Sequence, residues 1–272
     1  MSGSLSTLDA VILGIVEGIT EYLPVSSTGH LVVVQRWLGL GDAAGRDAAD
    51  TFAIAIQIGA ILAVLLLYRA RVGSMLRGII GRDDEGRRVL GLLVTSFVPA
   101  AAIGAAFGDT IKDELFSPGP VVAAWVVGGV FLLLWKPRRD GATLSVLTTT
   151  HAVIIGCAQA LALWPGVSRS LVTIAAAVMV GLSLSAALEY SFLLGLATLS
   201  AATVFDLAKN GGQLFDDYGF ARPLLGVAIA FVTAAIAVRW LVDYLAQRPL
   251  SRFGWYRLVA AGLTLALWST LS

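Results

Sequence analysis

The sequence predicts an all-α integral membrane protein of six transmembrane helices plus two re-entrant helical hairpins, arranged as an inverted-topology internal repeat. Three observations lead there. The 272-residue chain is 57% hydrophobic but only 14% charged, whereas about a quarter of a soluble domain is charged. Its mean hydropathy is +0.84, and the apolar residues fall in blocks near the roughly 20 residues that cross a bilayer. Two of those blocks are interrupted by Pro, Gly, Ser and Thr.

Composition also excludes. The net charge is +1, and no basic run points to nucleic acid. The single cysteine, Cys157, rules out an intramolecular disulfide and a cysteine-built zinc site. It lies in an apolar stretch and is expected to be buried packing. The N-terminus has no basic n-region and no clear cleavage site, so no removable signal peptide is expected.

Six blocks read as full spans: about 50–69, 88–107, 118–136, 184–206, 222–241 and 253–271. The block 8–40 breaks at Leu23-Pro24-Val25-Ser26-Ser27-Thr28-Gly29-His30, and 145–180 breaks at Trp164-Pro165-Gly166-Val167-Ser168-Arg169-Ser170. Irregular backbone at membrane depth survives only when buried in protein or facing a water-filled cavity. Each broken block is therefore expected to be a hairpin of two half-helices. The alternative, one kinked helix in each place and eight plain spans, sits badly with so many polar residues at both breaks.

Loop charges set the orientation. Arg69, Arg71, Arg77, Arg82, Arg87 and Arg88 fall in one connection, Lys136, Arg138 and Arg139 in the next on that side, and Arg239, Arg248 and Arg252 in the third. The opposite side has mainly Arg46, Lys112, Lys209 and Arg222 among many acids. The positive-inside rule makes the first set cytoplasmic. Hairpin 1 then enters from the outer face and hairpin 2 from the cytoplasmic face, so the tips meet mid-membrane.

A shift of 142 lays Ala10-Val11-Ile12-Leu13-Gly14 over Ala152-Val153-Ile154-Ile155-Gly156, Val25-Ser26 over Val167-Ser168, and Thr28 over Ser170. A shift of 135 lays Leu90-Gly91 over Leu225-Gly226, a weaker match. The expected halves are about 8–136 and 145–272 of a single membrane domain. Each holds one hairpin and three spans, an odd number that inverts the second copy.

The chemistry gathers at the breaks. Glu17 and Glu21 are four apart and share one helix face. A carboxylate inside a membrane block marks a functional site by default; an ion pair or a capped helix end is the plainer reading. Arg169 occupies the repeat position of Ser27, while Gln159 replaces Glu17 and Leu163 replaces Glu21. One hairpin thus brings carboxylates and an imidazole, the other a guanidinium. Arg169 reads as a phosphate ligand, as a partner of Glu17 or Glu21, or as both. The Ser-rich turns start half-helices whose free N–H groups and dipole ends favour an anion, which describes a phosphate or pyrophosphate site. His30 reads as nucleophile, general acid or satisfied polar residue. His151 reads as structural, and Glu189 and Asp243 join no constellation. Glu17, Glu21, Ser27, His30 and Arg169 are expected to line one polar cavity that opens outward.

These motifs carry a resemblance. Glu17-Gly18-Ile19-Thr20-Glu21-Tyr22-Leu23-Pro24-Val25-Ser26-Ser27-Thr28-Gly29-His30 resembles one signature of the undecaprenyl-pyrophosphate phosphatase, or bacitracin-resistance, family. Pro165-Gly166-Val167-Ser168-Arg169-Ser170-Leu171-Val172-Thr173 resembles its second. One departure is Leu171-Val172, where members often carry Gly-Ala. The resemblance covers the whole chain in length and span layout. It implies a multi-pass enzyme of the bacterial inner membrane that hydrolyses undecaprenyl pyrophosphate to the monophosphate and inorganic phosphate. That reaction recycles the lipid carrier for peptidoglycan and other envelope polymers, and it removes the target of bacitracin.

The resemblance implies a divalent cation, Mg²⁺ or Ca²⁺, on Glu17 and Glu21. It implies catalytic roles for Glu17, Glu21, Ser27, His30 and Arg169, with Ser27 or His30 attacking or positioning a water. Ser26, Thr28, Gly166, Ser168, Ser170 and Thr173 are the expected phosphate-binding residues. The expected partners are the polyprenyl pyrophosphate and membrane lipids, with a homodimer left open. A transporter or lipid flippase built on the same repeat is the runner-up; a membrane scaffold leaves the clustered polar groups unexplained.

Overall fold

The computed structural model describes residues 5–40, 46–137 and 139–267, so Arg138 and the end of the last expected span lie outside the described residues. Among the described residues there are eleven α-helices. They are α1 (Thr7–Thr20), α2 (Ser27–Trp37), α3 (Arg46–Leu67), α4 (Arg69–Ile79), α5 (Asp84–Leu115), α6 (Pro118–Leu134), α7 (Thr149–Ala160), α8 (Arg169–Met179), α9 (Leu184–Tyr218), α10 (Ala221–Gln247) and α11 (Ser251–Ala266). One 3₁₀ turn, Leu144–Val146, precedes α7 and another, Leu161–Leu163, follows it.

Both interrupted blocks are built as two helices with a break between them. Ser6 and Thr148 cap the first helix of each pair, accepting from the N–H of Asp9 and His151. Ser26 and Ser168 cap the second, accepting from Gly29 and Leu171. α2 and α8 start and end in the same register under the 142-residue shift, and so do the starts of α1 and α7. The backbone repeats as well. Ser26 sits at φ 72°, ψ 98° and Ser168 at φ 69°, ψ 107°. They are the only non-glycine residues at positive φ among the described residues.

Within α3, the stretch Ala48–Leu67, together with α5, α9 and α10, is long and apolar enough to cross a membrane. The chain is a multi-pass membrane protein. The other two expected spans are shorter: α6 has 17 residues and α11 has 16. α6 ends ahead of Trp135-Lys136-Pro137, and α11 starts with Arg252 in its first turn. The arginine-rich connection 69–88, expected as a loop, holds α4. Arginine is a good helix former, and only Tyr68, at φ −105° and ψ 22°, separates α4 from α3. The next turn is fixed by Asp83, which accepts from the Gly86 N–H and the Ser74 hydroxyl.

α10 is the packing axis. α1 and α3 both lie on it, while α7 packs on α5 and α11 on α6. Ala230, Ala234, Ala237, Val238 and Leu241 are its buried residues in the middle. Apolar surface gains little from leaving lipid, so helices join through close backbone approach at small residues. Large side chains such as Val127, Leu134, Phe205 and Leu224 stay on the outside. Cys157 is exposed on α7, which corrects the expectation of burial. In a bilayer an apolar helix face satisfies lipid as readily as it satisfies a protein core.

Gly59 shows how tight the α3–α10 contact is. A Cβ there would lie 2.3 Å from the Val227 oxygen and 2.6 Å from the Phe231 nitrogen. Gly59→Ala should therefore force the helices apart and cost about 1–3 kcal/mol. The check is the thermal unfolding midpoint in detergent, and an unchanged midpoint would mean that this contact is not tight in solution.

Candidate active site

The first break is buried, and the second is buried at Pro165, Gly166, Ser168 and Ser170; the turns at both breaks leave backbone groups that the helices do not fully satisfy. Residues 21–27 are all buried. Such groups must be satisfied inside the protein, and here they are. The Leu23 carbonyl accepts from the Ser170 hydroxyl at 2.8 Å, and the Val25 carbonyl from the Trp125 indole at 3.0 Å. The Pro24 carbonyl accepts from Arg257 at 3.3 Å, and the Ser26 carbonyl lies 2.7 Å from His30 Nδ1. The Ser26 hydroxyl also accepts from the Gly166 N–H at 3.0 Å, which joins the two breaks directly. Gly166 has φ +97°, and a Cβ on it would lie 2.8 Å from both the Ala124 Cβ and the Val121 oxygen. Only glycine fits that conformation and that space.

Against this frame lies a chain of polar groups. The Ser27 hydroxyl donates to Glu21 Oε2. Glu21 Oε1 accepts from Arg169 Nη2 at 2.7 Å. Arg169 Nη1 donates to the Ser191 carbonyl at 3.0 Å, and the guanidinium lies over the Tyr22 ring, 5.2 Å from its centroid. α9 carries a glycine opposite it, since a Cβ on Gly195 would stand 2.1 Å from Arg169 Nη1. Glu17 lies one turn before Glu21, is fully buried, and has no hydrogen-bond partner on either carboxylate oxygen among the described residues.

A cavity of about 270 Å³ opens beside this chain. Glu21, Ser26, Ser27, Thr28, Ser168 and Arg169 line it, so both breaks face one space. Gln57, Gln159 and Thr198 bring further polar groups from α3, α7 and α9. Glu17, His30, Gly166, Ser170 and Thr173 are not among the lining, which corrects the expectation that Glu17 and His30 line the cavity. Glu17 is shut off behind Glu21. The His30 ring packs between Trp125 and Tyr256, with Nε2 2.8 Å from the Tyr256 hydroxyl. Ser170 and Thr173 spend their hydroxyls on the frame: Thr173 donates to the Arg169 carbonyl and meets the Ser191 hydroxyl.

Sequence reasoning passed over Ser191, Gly195, Tyr256 and Arg257. The first three carry no signal within an apolar span. Arg257 does, because a charge inside the block 253–271 is itself a pointer to function.

These features define a class: a helical membrane protein in which two broken helices bring carboxylate, hydroxyl and guanidinium groups to one cavity. Residues 10–263 match the family model described as Bacitracin resistance protein BacA, and the chain belongs to that family. It is 44% identical over 267 residues to an undecaprenyl-diphosphatase of Sorangium cellulosum, covering 95% of this chain and 85% of the relative. It is 45% identical to one of Nitrosospira multiformis, covering 92% and 91%, and 42% identical to one of Rhodopseudomonas palustris, covering 96% and 97%.

The Ser26 hydroxyl both caps α2 and holds Gly166. Ser26→Ala should lower stability by about 1–2 kcal/mol, the upper range for a lost N-cap. Thermal unfolding measures it, and a wild-type midpoint would show that the join between the breaks contributes nothing.

Proposed function

We propose that this chain hydrolyses undecaprenyl diphosphate to undecaprenyl phosphate and inorganic phosphate in a bacterial plasma membrane, with the cavity between the two breaks as its active site. The observation that carries this reading is the Ser27–Glu21–Arg169 chain on the cavity wall. A nucleophile bonded to a base that is oriented by a third group is the arrangement expected for transfer chemistry. The names of the relatives supply the substrate.

Arg169 holds the terminal phosphate by its planar fork, and the N-termini of α2 and α8 add their N–H dipoles. Glu21 takes a proton from Ser27, or from a water that Ser27 orients. The new P–O bond forms at the terminal phosphorus as the bond to the bridging oxygen breaks, and the proton taken by Glu21 goes to the departing lipid phosphate. Where Ser27 attacks, a water then adds to that phosphorus as its bond to the Ser27 oxygen breaks, one water proton restoring the Ser27 hydroxyl and the other leaving with inorganic phosphate. The lipid monophosphate leaves, and Arg169 stabilises the charge that develops on it. Ser27 is preferred to His30 as the attacking group because both His30 nitrogens are engaged away from the cavity. The isoprenoid chain stays among apolar helices and lipid.

A divalent cation fits this donor set. No group of three or more His, Cys, Asp or Glu side chains is gathered among the described residues, so an all-protein cage is not expected. Glu17 offers two unpartnered buried oxygens beside Glu21. Mg²⁺ commonly uses one or two carboxylates together with substrate phosphates, so Glu21 on the cavity wall would hold it beside the phosphates, and Glu17 would join once a movement of Glu21 uncovers it. When bound, the ion neutralises phosphate charge.

In the proposed topology six helices span and the two broken pairs are re-entrant, with the halves 8–136 and 145–272 inverted relative to each other. The arginine-rich turns are cytoplasmic. The cavity opens outward: Phe116 lines it at the end of α5 far from the arginine-rich turn. Transport draws no support from the relatives, which are named as phosphatases.

The experiment is phosphate release from farnesyl or undecaprenyl diphosphate by purified protein, with and without EDTA. Arg169→Lys should reduce turnover about 100-fold, the scale of a lost transition-state donor, while the protein still folds. Glu21→Gln should do the same. Glu17→Gln should raise the Mg²⁺ concentration needed for half-maximal rate. Wild-type kinetics in all three would leave these groups structural. Single cysteines near Asp84 and Asp216, in a Cys157→Ala background, test orientation. The first should react only with reagents that reach the cytoplasm and the second from outside, and the reverse pattern would invert the topology.

A further inference from the structure

Arg257 is the largest fully buried charged side chain among the described residues, and the mechanism leaves it unused. It lies on α11, is 0% exposed, and forms no ion pair with a carboxylate among the described residues. Its guanidinium instead spends its donors on four backbone carbonyls. Nη2 reaches Gly166 at 2.7 Å and Ala124 at 2.8 Å, Nη1 reaches Pro24 at 3.3 Å, and Nε reaches Trp125 at 3.4 Å. Pro24 belongs to the first break, Gly166 to the second, and the other two to α6. One planar fork therefore ties three separate segments at one point.

The acceptors matter more than their number. Gly166 is gripped at both ends, its N–H by Ser26 and its carbonyl by Arg257. Pro24 stands three residues before Ser27, and Gly166 three residues before Arg169. α6 is shaped to admit the guanidinium, since a Cβ on Gly128 would lie 2.3 Å from Nη2. A buried cation without an acid partner is costly. Bonding it to the Pro24 and Gly166 carbonyls, which the breaks leave free, satisfies both sides at once, and the two α6 carbonyls take its remaining donors.

We propose that Arg257 is a positioning residue for the hydrolysis: its guanidinium locks the two helix breaks together so that Ser27 and Glu21 of one meet Arg169 of the other. The proposal rests on the active-site reading above. A lysine at this position keeps the charge but is a point donor without a fork. It cannot hold Pro24 and Gly166 in one plane.

The test pairs kinetics with a distance. Spin labels at Ile19→Cys and Leu161→Cys, both on exposed positions beside the breaks, report their separation in a Cys157→Ala background. Arg257→Lys should shift or broaden that distance and lower kcat about 10- to 100-fold, the cost of misplacing groups by about an ångström, while KM stays near wild type. Gly128→Ala should give the same pattern more mildly, because it displaces the guanidinium and keeps the charge. It also serves if the lysine variant does not fold. An unchanged distance in a folded variant, or an unchanged kcat with a shifted distance, overturns the proposal. A failure of the active-site reading looks different: Arg169→Lys would be fully active with the label distance intact.

Discussion

Backbone that leaves a helix inside an apolar solvent has to find partners within the protein. That constraint organises the rest of this molecule. Four consecutive carbonyls of the first break, Leu23 to Ser26, accept from Ser170, Arg257, Trp125 and His30. The donors come from α8, α11, α6 and α2. An unsatisfied group in such a place costs several kcal/mol, so these helices cannot be rearranged independently. The frame that satisfies the breaks is also the frame that aims Ser27 and Arg169 into one cavity.

The two capping serines carry a related cost. A non-glycine residue at positive φ is strained by about 1–3 kcal/mol, and such residues cluster where surrounding structure over-determines them. Ser26 and Ser168 fit that description. Each is tied to its own helix by a cap, and Ser26 also to the opposite break. The geometry recurs at the same place in both halves, so the strain belongs to the way this chain turns a half-helix within a buried break.

Much of this was legible in the sequence. Pro24 and the Pro165-Gly166 pair mark the breaks because they stop helices, and the Ser-Ser-Thr and Ser-Arg-Ser runs restart them. Glu21 and Arg169 stood out as charges in apolar blocks, and the 142-residue shift placed Arg169 opposite Ser27. Other features left weaker traces. α4 hid in an arginine-rich stretch because charge was read as loop, although arginine favours helix. The apolar stretch around Cys157 points to burial, but in a bilayer the same stretch also suits a lipid-facing position. The direction of His30 depended on Trp125 and Tyr256, aromatic residues far off in sequence whose contact no local pattern records. Arg257 was visible as a charge, but its acceptors are backbone carbonyls, and these have no residue type to read.

Under the proposed hydrolysis the Arg169–Glu21 pair also filters ligands. Glu21 is already seated on the guanidinium, so an arriving anion shares the cation with a tethered carboxylate whose local concentration greatly exceeds that of any free ligand. A ligand with more negative charge, or with additional contacts, shares it on better terms. A diphosphate meets that condition better than the monophosphate it becomes. Once the phosphorus–oxygen bond is cut, the weaker anion is left competing with the tethered carboxylate, and release needs no separate opening step.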